Sequence, residues 1–435
     1  MAQANDAQQE KDPQRAIFCL EEVLKHKPLS EASNLSLMRV LDSIGEVEQA
    51  MDVYLTYRDD LRQKKSRPPS APLNDLFSQL KSKSRLSSPP FTSDNNYIEP
   101  PGGAMKPGSP FYIKRETDYE FDDAIASSET MIVHVKAPPQ TGKSSLMYRG
   151  LASAREGGTQ TVVTDLQKLG DGDMETVFTF YLAIALSIAQ KLSRKPPTLE
   201  ALSAGTSPGL SFEDYLLSEI LAKANTPFVW AIDGVERLFS APYGDEVLGL
   251  LRSWHNMRAD DPDGPWGRLT LVIASSTEPH LYVKNLNQSP FNVGKRIRLA
   301  DFSIEQVSEL NWKYDCPLRA KGDVESLYSM VRGHPYLVRL ALFKMVTDHV
   351  TLDAIKSQSQ SDVGIFSDHL QRLHGSLAGA PDLVVALRCL LSGGSCPGGK
   401  VFFRLHAAGV LRGDKPETAQ LRCGLYEDYL RMAFP

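Results

Sequence analysis

Cysteine is scarce in this 435-residue chain. The five present (Cys19, Cys316, Cys389, Cys396 and Cys423) are scattered and odd in number, and no Cys-x-x-Cys pair occurs. Neither a disulfide framework nor a zinc ribbon is expected, and a reducing, cytoplasmic setting is. Long hydrophobic runs are missing too. The longest, at 177–189, falls short of the roughly 18 residues that suggest a membrane span, and it reads as a buried helix. The polar start, MAQANDAQQEKD, is no signal peptide. Positive charge is not in excess: the net charge is -5, so no global field draws the chain to nucleic acid. Nine histidines lack ligand spacing, and no Ser/His/Asp or Cys/His triad can be assembled. What is present is ordinary for a globular protein, 42% hydrophobic and 23% charged. At roughly 100–200 residues per domain, the length predicts two to four domains.

Residues 12 to about 62 read as helices with a repeat. Ala16, Leu20 and Val23 share a helix face, and 34 positions later come Ala50, Tyr54 and Tyr57. Pro28 ends the first unit, and Gly45 sits in the turn before the later helix. A 34-residue period of small and bulky positions is the tetratricopeptide pattern; any helical hairpin is the alternative. A further short helix is predicted over 72–80. Between Arg62 and Arg85, seven basic residues stand against one acid, Asp75. They form a solvated surface or a patch for an acidic partner or phosphate backbone. Residues 82–110, rich in Ser, Pro, Gly and Asn, read as a flexible linker.

From residue 111 the pattern becomes α/β. Strands are predicted at 131–136 (MIVHVK), 160–165 (QTVVTD), 227–233 (PFVWAID), 269–275 (LTLVIAS) and 296–299 (RIRL), with helices between. That alternation predicts a mostly parallel sheet covered on both faces. After about residue 301 the chain reads helical again. Its end carries two short apolar stretches around glycine turns (GVLRGDKPETAQLRCGLY), which suit a small winged helix.

The strongest chemical signal follows the first strand: Ala137-Pro138-Pro139-Gln140-Thr141-Gly142-Lys143-Ser144. This is GxxxxGK[ST] with Ala137 at the first position. In such a P-loop the backbone N–H groups of Gln140, Thr141, Gly142 and the helix start through Ser145 converge on phosphate oxygens, favoured by the helix dipole. Lys143 brings a cation to the β and γ phosphates, and Ser144 offers its hydroxyl to Mg²⁺. The metal partner is expected at the tip of another buried strand. The run 228–233 ends in Asp233, which makes Ser144 and Asp233 the metal pair. Gly234 follows where a vigorous ATPase has Glu. Glu236 is the nearest substitute carboxylate for the attacking water, or else a solvated helix residue. Ser276, beyond the strand at 269–275, senses the γ-phosphate or satisfies a loop backbone. Arg296, in the run 295–298, supplies a transition-state cation or holds an ordinary surface place.

These residues resemble the bacterial AAA-like P-loop ATPases, relatives of the STAND signal-transduction NTPases. The resemblance rests on FYIKRETDYE (111–120), APPQTGKSSLMYR (137–149), VWAIDGVERLF (229–239), NQSPFNVGKRIRLADFS (287–303) and GHPYLVRLA (333–341). It implies that Gly333-His334-Pro335 presses Pro335 on the adenine beside Tyr336, that Arg115 helps hold base or ribose, and that a helical lid and winged helix follow the core. Gly234 departs from members with an Asp-Glu pair, which implies slow turnover. PLSEASNLSLMRVLDSIGEVEQAMDVYLTYRDDL (28–61) resembles the bacterial transcriptional activator domain, whose DNA-reading half is here missing or supplied by another chain.

The fold class expected is an α/β P-loop NTPase core with an N-terminal helical-repeat domain and a C-terminal helical lid plus winged-helix-like module. The domains expected are 1–81 (tetratricopeptide-like), 82–110 (linker), 111–300 (core), 301–375 (lid) and 376–435 (winged-helix-like). The function expected is a slow-hydrolysing, nucleotide-controlled switch. It binds ATP or ADP with Mg²⁺ and meets a protein partner or itself through the repeats. The alternative is a transcriptional regulator that touches DNA through the winged helix or a partner chain. The order of motifs argues against a small-molecule kinase, and no membrane contact is expected.

Overall fold

The computed structural model describes residues 13–65, 69–70, 72–77, 79–80, 98–127, 129–203, 205, 207–224, 226–276, 289–359, 361 and 363–434. Residues 1–97 and 98–435 form two compact units.

In the first unit, α1 (Pro13–His26) packs on α2 (Glu31–Ser43), and α2 on α3 (Val47–Lys65). Ser30 caps α2 by accepting from the Ser33 amide, and Asn34 Nδ2 donates to the carbonyls of Pro28 and Ser30. Ala16, Leu20, Ala50, Tyr54 and Tyr57 are buried, and Val23 is half-buried. Residues 72–77 are helical. From there Phe77 stacks on Tyr54 at 4.1 Å, and the Tyr54 hydroxyl meets Asn74 Oδ1 at 2.5 Å. The basic side chains between Arg62 and Arg85, and linker residues 82–97, lie outside the described residues.

The second unit is built on a five-stranded parallel sheet. Its elements run α4 (Glu116–Ala126), β1 (Ile132–Lys136), α5 (Lys143–Glu156), β2 (Gln160–Asp165), α6 (Val177–Leu192), α7 (Leu199–Ser203), α8 (Pro208–Tyr215), β3 (Phe228–Asp233), α9 (Glu236–Ser240), α10 (Gly244–Asp260), β4 (Leu269–Ser275) and β5 (Lys295–Arg298). The strand order is β2-β3-β4-β1-β5, so β4 lies between the strand that feeds the phosphate loop and the strand that ends in Asp233. Every residue of β4 is buried, as a strand covered on both faces requires. Alternation divides the two faces. Phe228, Trp230 and Ile232 pack with Leu271 and Ile273 against α6, α8 and α10, in a cluster that includes Tyr181, Phe212 and Trp254. Val229 and Ala231 pack with Val272 and Ala274 against α4 and α5. The longest apolar run is α6, which buries Phe180, Tyr181, Ile184, Ala185 and Ile188 on one face. Among the described residues, no helix is long and apolar enough to cross a membrane.

Residues 98–110, expected as the end of the linker, are instead held on the second unit. Glu99 accepts from Arg339 Nη2 at 3.2 Å, the Met105 amide donates to Ser145 Oγ at 3.0 Å, and Arg149 donates to the Pro107 carbonyl at 2.7 Å. A Pro- and Gly-rich strap has few side chains to bury, so its backbone and one carboxylate make the attachments.

Helices follow: α11 (Ile304–Lys313), α12 (Asp323–Val331), α13 (Pro335–Thr347), α14 (Leu352–Ser357), α15 (Ser367–Ala378), α16 (Pro381–Leu391) and α17 (Lys400–Ala407). Two-residue strands β6 (Leu411–Arg412) and β7 (Gln420–Leu421) then pair antiparallel, and α18 (Gly424–Ala433) closes the chain. One continuous core, from Phe302 to Phe434, joins all of these helices.

Candidate functional site

The site forms where the parallel strands end. Lys136 finishes β1, the loop 137–142 turns, and α5 begins at Lys143 behind Gly142, which is left-handed at φ +101°. Lys143 Nζ donates to the carbonyls of Ala137 at 2.7 Å and Pro138 at 3.1 Å, so the ammonium lies folded over its own loop. Burial lowers its pKa from the ordinary lysine value, against the pull of Glu236 and Asp233. Thr141 Oγ1 braces the loop by donating to the Pro138 carbonyl at 2.7 Å. Ser144 Oγ donates to Asp233 Oδ2 at 2.6 Å, and Asp233 Oδ1 accepts from the Gly234 amide at 2.9 Å. The sequence places this hydroxyl and carboxylate far apart; β1, which feeds the phosphate loop, and β3, which ends in Asp233, bring them together on either side of β4.

Arg115 caps the start of α4 and is buried. Its Nη1 donates to the carbonyls of Thr141 at 2.9 Å and Ala300 at 3.3 Å, and its guanidinium lies over the Phe302 ring. Arg115 Nε is a buried donor with no partner among the described residues. Pro335 opens α13 and lines the same cleft as Tyr336 and Arg115. That cleft measures about 720 Å³, inside the range of small-molecule sites. Gln140, Thr141, Gly142, Lys143, Ser144, Ser145, Asp233, Glu236 and Ser276 all line it. Glu236 Oε1 accepts from both the amide and the hydroxyl of Ser276, the latter at 2.5 Å. His334 is fully buried, and burial holds its pKa well below the ordinary histidine value.

Arg296 is not brought in. β5 points Ile297 inward and Arg296 outward, where its Nε donates to the Phe291 carbonyl at 3.0 Å. Thr277, and Asn287 and Gln288 of the fourth resembling stretch, lie outside the described residues.

The structure adds residues that the sequence did not single out. Asp165, Gln167, Tyr148, Arg339 and Arg372 line the cleft. Asp165 ends β2 just as Asp233 ends β3, which is a signal readable in the sequence. Burial, then the charges of Asp233 and Asp165, raise the Tyr148 phenol above its ordinary pKa. Arg422 is the most distant addition. Its Nε and Nη2 grip Asp301 at 2.9 and 2.5 Å, and Nη2 also reaches Thr141 Oγ1 at 3.4 Å. Beside it, Gly409 sits so close to the phosphate loop that a Cβ there would lie 3.2 Å from Pro138 Cβ. The C-terminal segment thus rests directly on the phosphate loop.

The donor set suits a nucleoside triphosphate with a hard divalent cation. It offers a loop of backbone amides at a helix start, an ammonium, and a hydroxyl paired with a carboxylate.

The AAA-like domain family matches residues 100–432. An uncharacterized WD repeat-containing protein of Synechocystis sp. is 25% identical over 267 residues, covering 60% of this chain and 22% of the relative. The chain thus spans about a fifth of that relative's length. Among solved structures, the Aeropyrum pernix Orc1 protein in complex with DNA aligns at TM-score 0.37 and 12% identity, over 73% of this chain and 91% of its own. Cdc6p from Pyrobaculum aerophilum aligns at 0.38 and 13%, over 75% and 98%. The family match spans most of the sequence and coincides with the sheet, the phosphate loop and the Ser144–Asp233 pair: the chain belongs to the AAA-like domain family and has the core of a P-loop ATPase.

Proposed function

We propose that this protein is a STAND-type regulatory ATPase, in which ATP or ADP bound in the cleft controls how the C-terminal module sits on the phosphate loop. The domains assigned are a core at 111–300, a lid at 301–375 and a winged-helix-like module at 376–435. The observation that carries this reading is Arg422, which bridges Asp301 and Thr141 from the far end of the sequence.

In this reading the amides from Gln140 to Ser145 receive the phosphates, and Lys143 leaves its loop carbonyls to meet them. Ser144 and Asp233 would hold Mg²⁺, which would supply positive charge against the phosphates. Pro335 and Arg115 take the base and ribose. Ser276, held by Glu236, stands at the tip of β4 to read the γ-phosphate. A phosphate that draws Thr141 and Lys143 toward itself competes with the Thr141–Arg422 contact. The two arrangements must therefore differ in nucleotide affinity, or nothing shifts. The helices of residues 13–65 serve as the protein-partner or self-association surface, in the manner of tetratricopeptide repeats.

Native mass measurement with ATP, with ADP and without nucleotide tests this. Bound nucleotide together with an ATP-dependent change in assembly or in module docking is expected. Bound nucleotide that leaves both unchanged contradicts the switch.

A further inference from the structure

Position 234 is where this chain lacks the carboxylate of an Asp-Glu pair, and the structure shows what stands there instead. Gly234 has φ +72°, a left-handed conformation that a Glu adopts only under strain. A Cβ on it would lie 3.0 Å from Gln167 Cγ and 3.7 Å from Gln167 Cδ. Gln167 therefore fills the space into which a side chain at 234 would project. It comes from the turn after β2, and its amide donates to Asp165 Oδ1 at 3.0 Å, which ties the two residues into one unit. Asp165 is the register partner of Asp233 on the neighbouring parallel strand, so the two tips stand about 4.8 Å apart. Both Asp165 and Gln167 face the cleft that Ser144 and Asp233 also line. Glu236, the nearest carboxylate in sequence, is already committed to the amide and hydroxyl of Ser276.

We propose that the Asp165–Gln167 turn is the water-activating element of this ATPase, with Asp165 as catalytic base and Gln167 as the residue that orients the water. The assignment rests on the nucleotide reading above and adds the group that performs the chemistry. Water held by the Gln167 side-chain carboxamide gives a proton to the Asp165 carboxylate while its oxygen bonds to the γ-phosphorus. The bond from that phosphorus to the β,γ-bridging oxygen breaks, and its electron pair leaves with ADP. The proton then passes from Asp165 to the released phosphate, so water and ATP are the only reactants. The Gln167 backbone N–H fixes Asp165 through Oδ1, which leaves Oδ2 to take the proton. A Gln orients water in other phosphoryl-transfer sites in the same way.

The test compares full-length wild type, D165N, D165E and Q167A by calorimetric titration with ATP and Mg²⁺ and by steady-state phosphate release. A positioned general base contributes about 10²–10⁴-fold. D165N should keep its ATP affinity within about threefold and lose at least about 100-fold in kcat, with KM unchanged. D165E should recover about tenfold of that loss, and Q167A should lose about tenfold. D165N should also fail to bind ADP–aluminium fluoride tightly while still binding ADP. Turnover by D165N within threefold of wild type overturns the assignment. So does a fall in ATP affinity as large as the fall in kcat, which makes Asp165 a binding residue. A wild type that binds ATP but releases no phosphate also overturns it and leaves the nucleotide site standing. A wild type that binds no ATP overturns both readings together.

Discussion

Replacing Arg422 with methionine should loosen the C-terminal module from the phosphate loop. The variant keeps an apolar stem of similar length and removes only the guanidinium. In the native chain that group makes two bonds to Asp301 and one to Thr141 Oγ1. The Arg422 side chain is 4% exposed and that of Asp301 is 25% exposed. Breaking a fully buried pair costs about 3–5 kcal/mol. Asp301 retains some water after its partner is lost, so about 2–3 kcal/mol is the better figure, a weakening of roughly 30–150-fold. Hydrogen exchange reads it. The amides of 409–424, among them the Arg422 amide bonded to the Val410 carbonyl at 2.8 Å, should lose protection by that factor, while β3 and β4 keep theirs. The double variant R422M/D301N should open little further than R422M alone, because the coupling is already gone. Unchanged exchange across 409–424 in R422M would refute the clasp.

Acid should destabilise the second unit in a defined window. Burial lowers His369 to about 4 and His134 to about 3, and holds His334 well below its ordinary value. Each stays neutral when folded but takes a proton when unfolded, so stability is full above about pH 6.5 and falls as pH drops toward 4, by about 1.4 kcal/mol per unit per group. Urea unfolding at pH 7 and pH 5 measures this, and equal stabilities contradict it. In the first unit, Ala50 is fully buried where α3 packs, so Ala50→Leu should cost about 1–3 kcal/mol by overpacking. A melting curve like that of wild type would show that the position has room to spare.

How much of this was readable in the sequence depends on distance along the chain. The strand before APPQTGKS and the run ending in Asp233 are local patterns, and each strand was located within a residue or two. The Ser144–Asp233 pairing followed from chemistry, because a hydroxyl at the helix start behind a phosphate loop and a carboxylate at a strand tip have one common use in a P-loop sheet. Arg422 left no such trace. Its partners Thr141 and Asp301 lie 281 and 121 positions away, and no periodicity links them. Arg296 looked useful as a cation near the strand end, but β alternation turns it outward while Ile297 takes the core. Residues 98–110 looked like free linker by composition, and composition does not reveal that Glu99 meets Arg339. Gly234 could be seen as a departure, whereas its left-handed backbone and the Gln167 side chain over it required coordinates.

The proposed switch requires the loop around Lys143 to grasp a nucleoside triphosphate opposite Asp233. Calorimetric titration of ATP with Mg²⁺ into wild type and Lys143→Ala tests it most directly. Wild type should bind one ATP per chain, and the variant, without its cation for the β and γ phosphates, should bind at least about 100-fold more weakly. Equal affinity in the two proteins would show that this loop is not the nucleotide site.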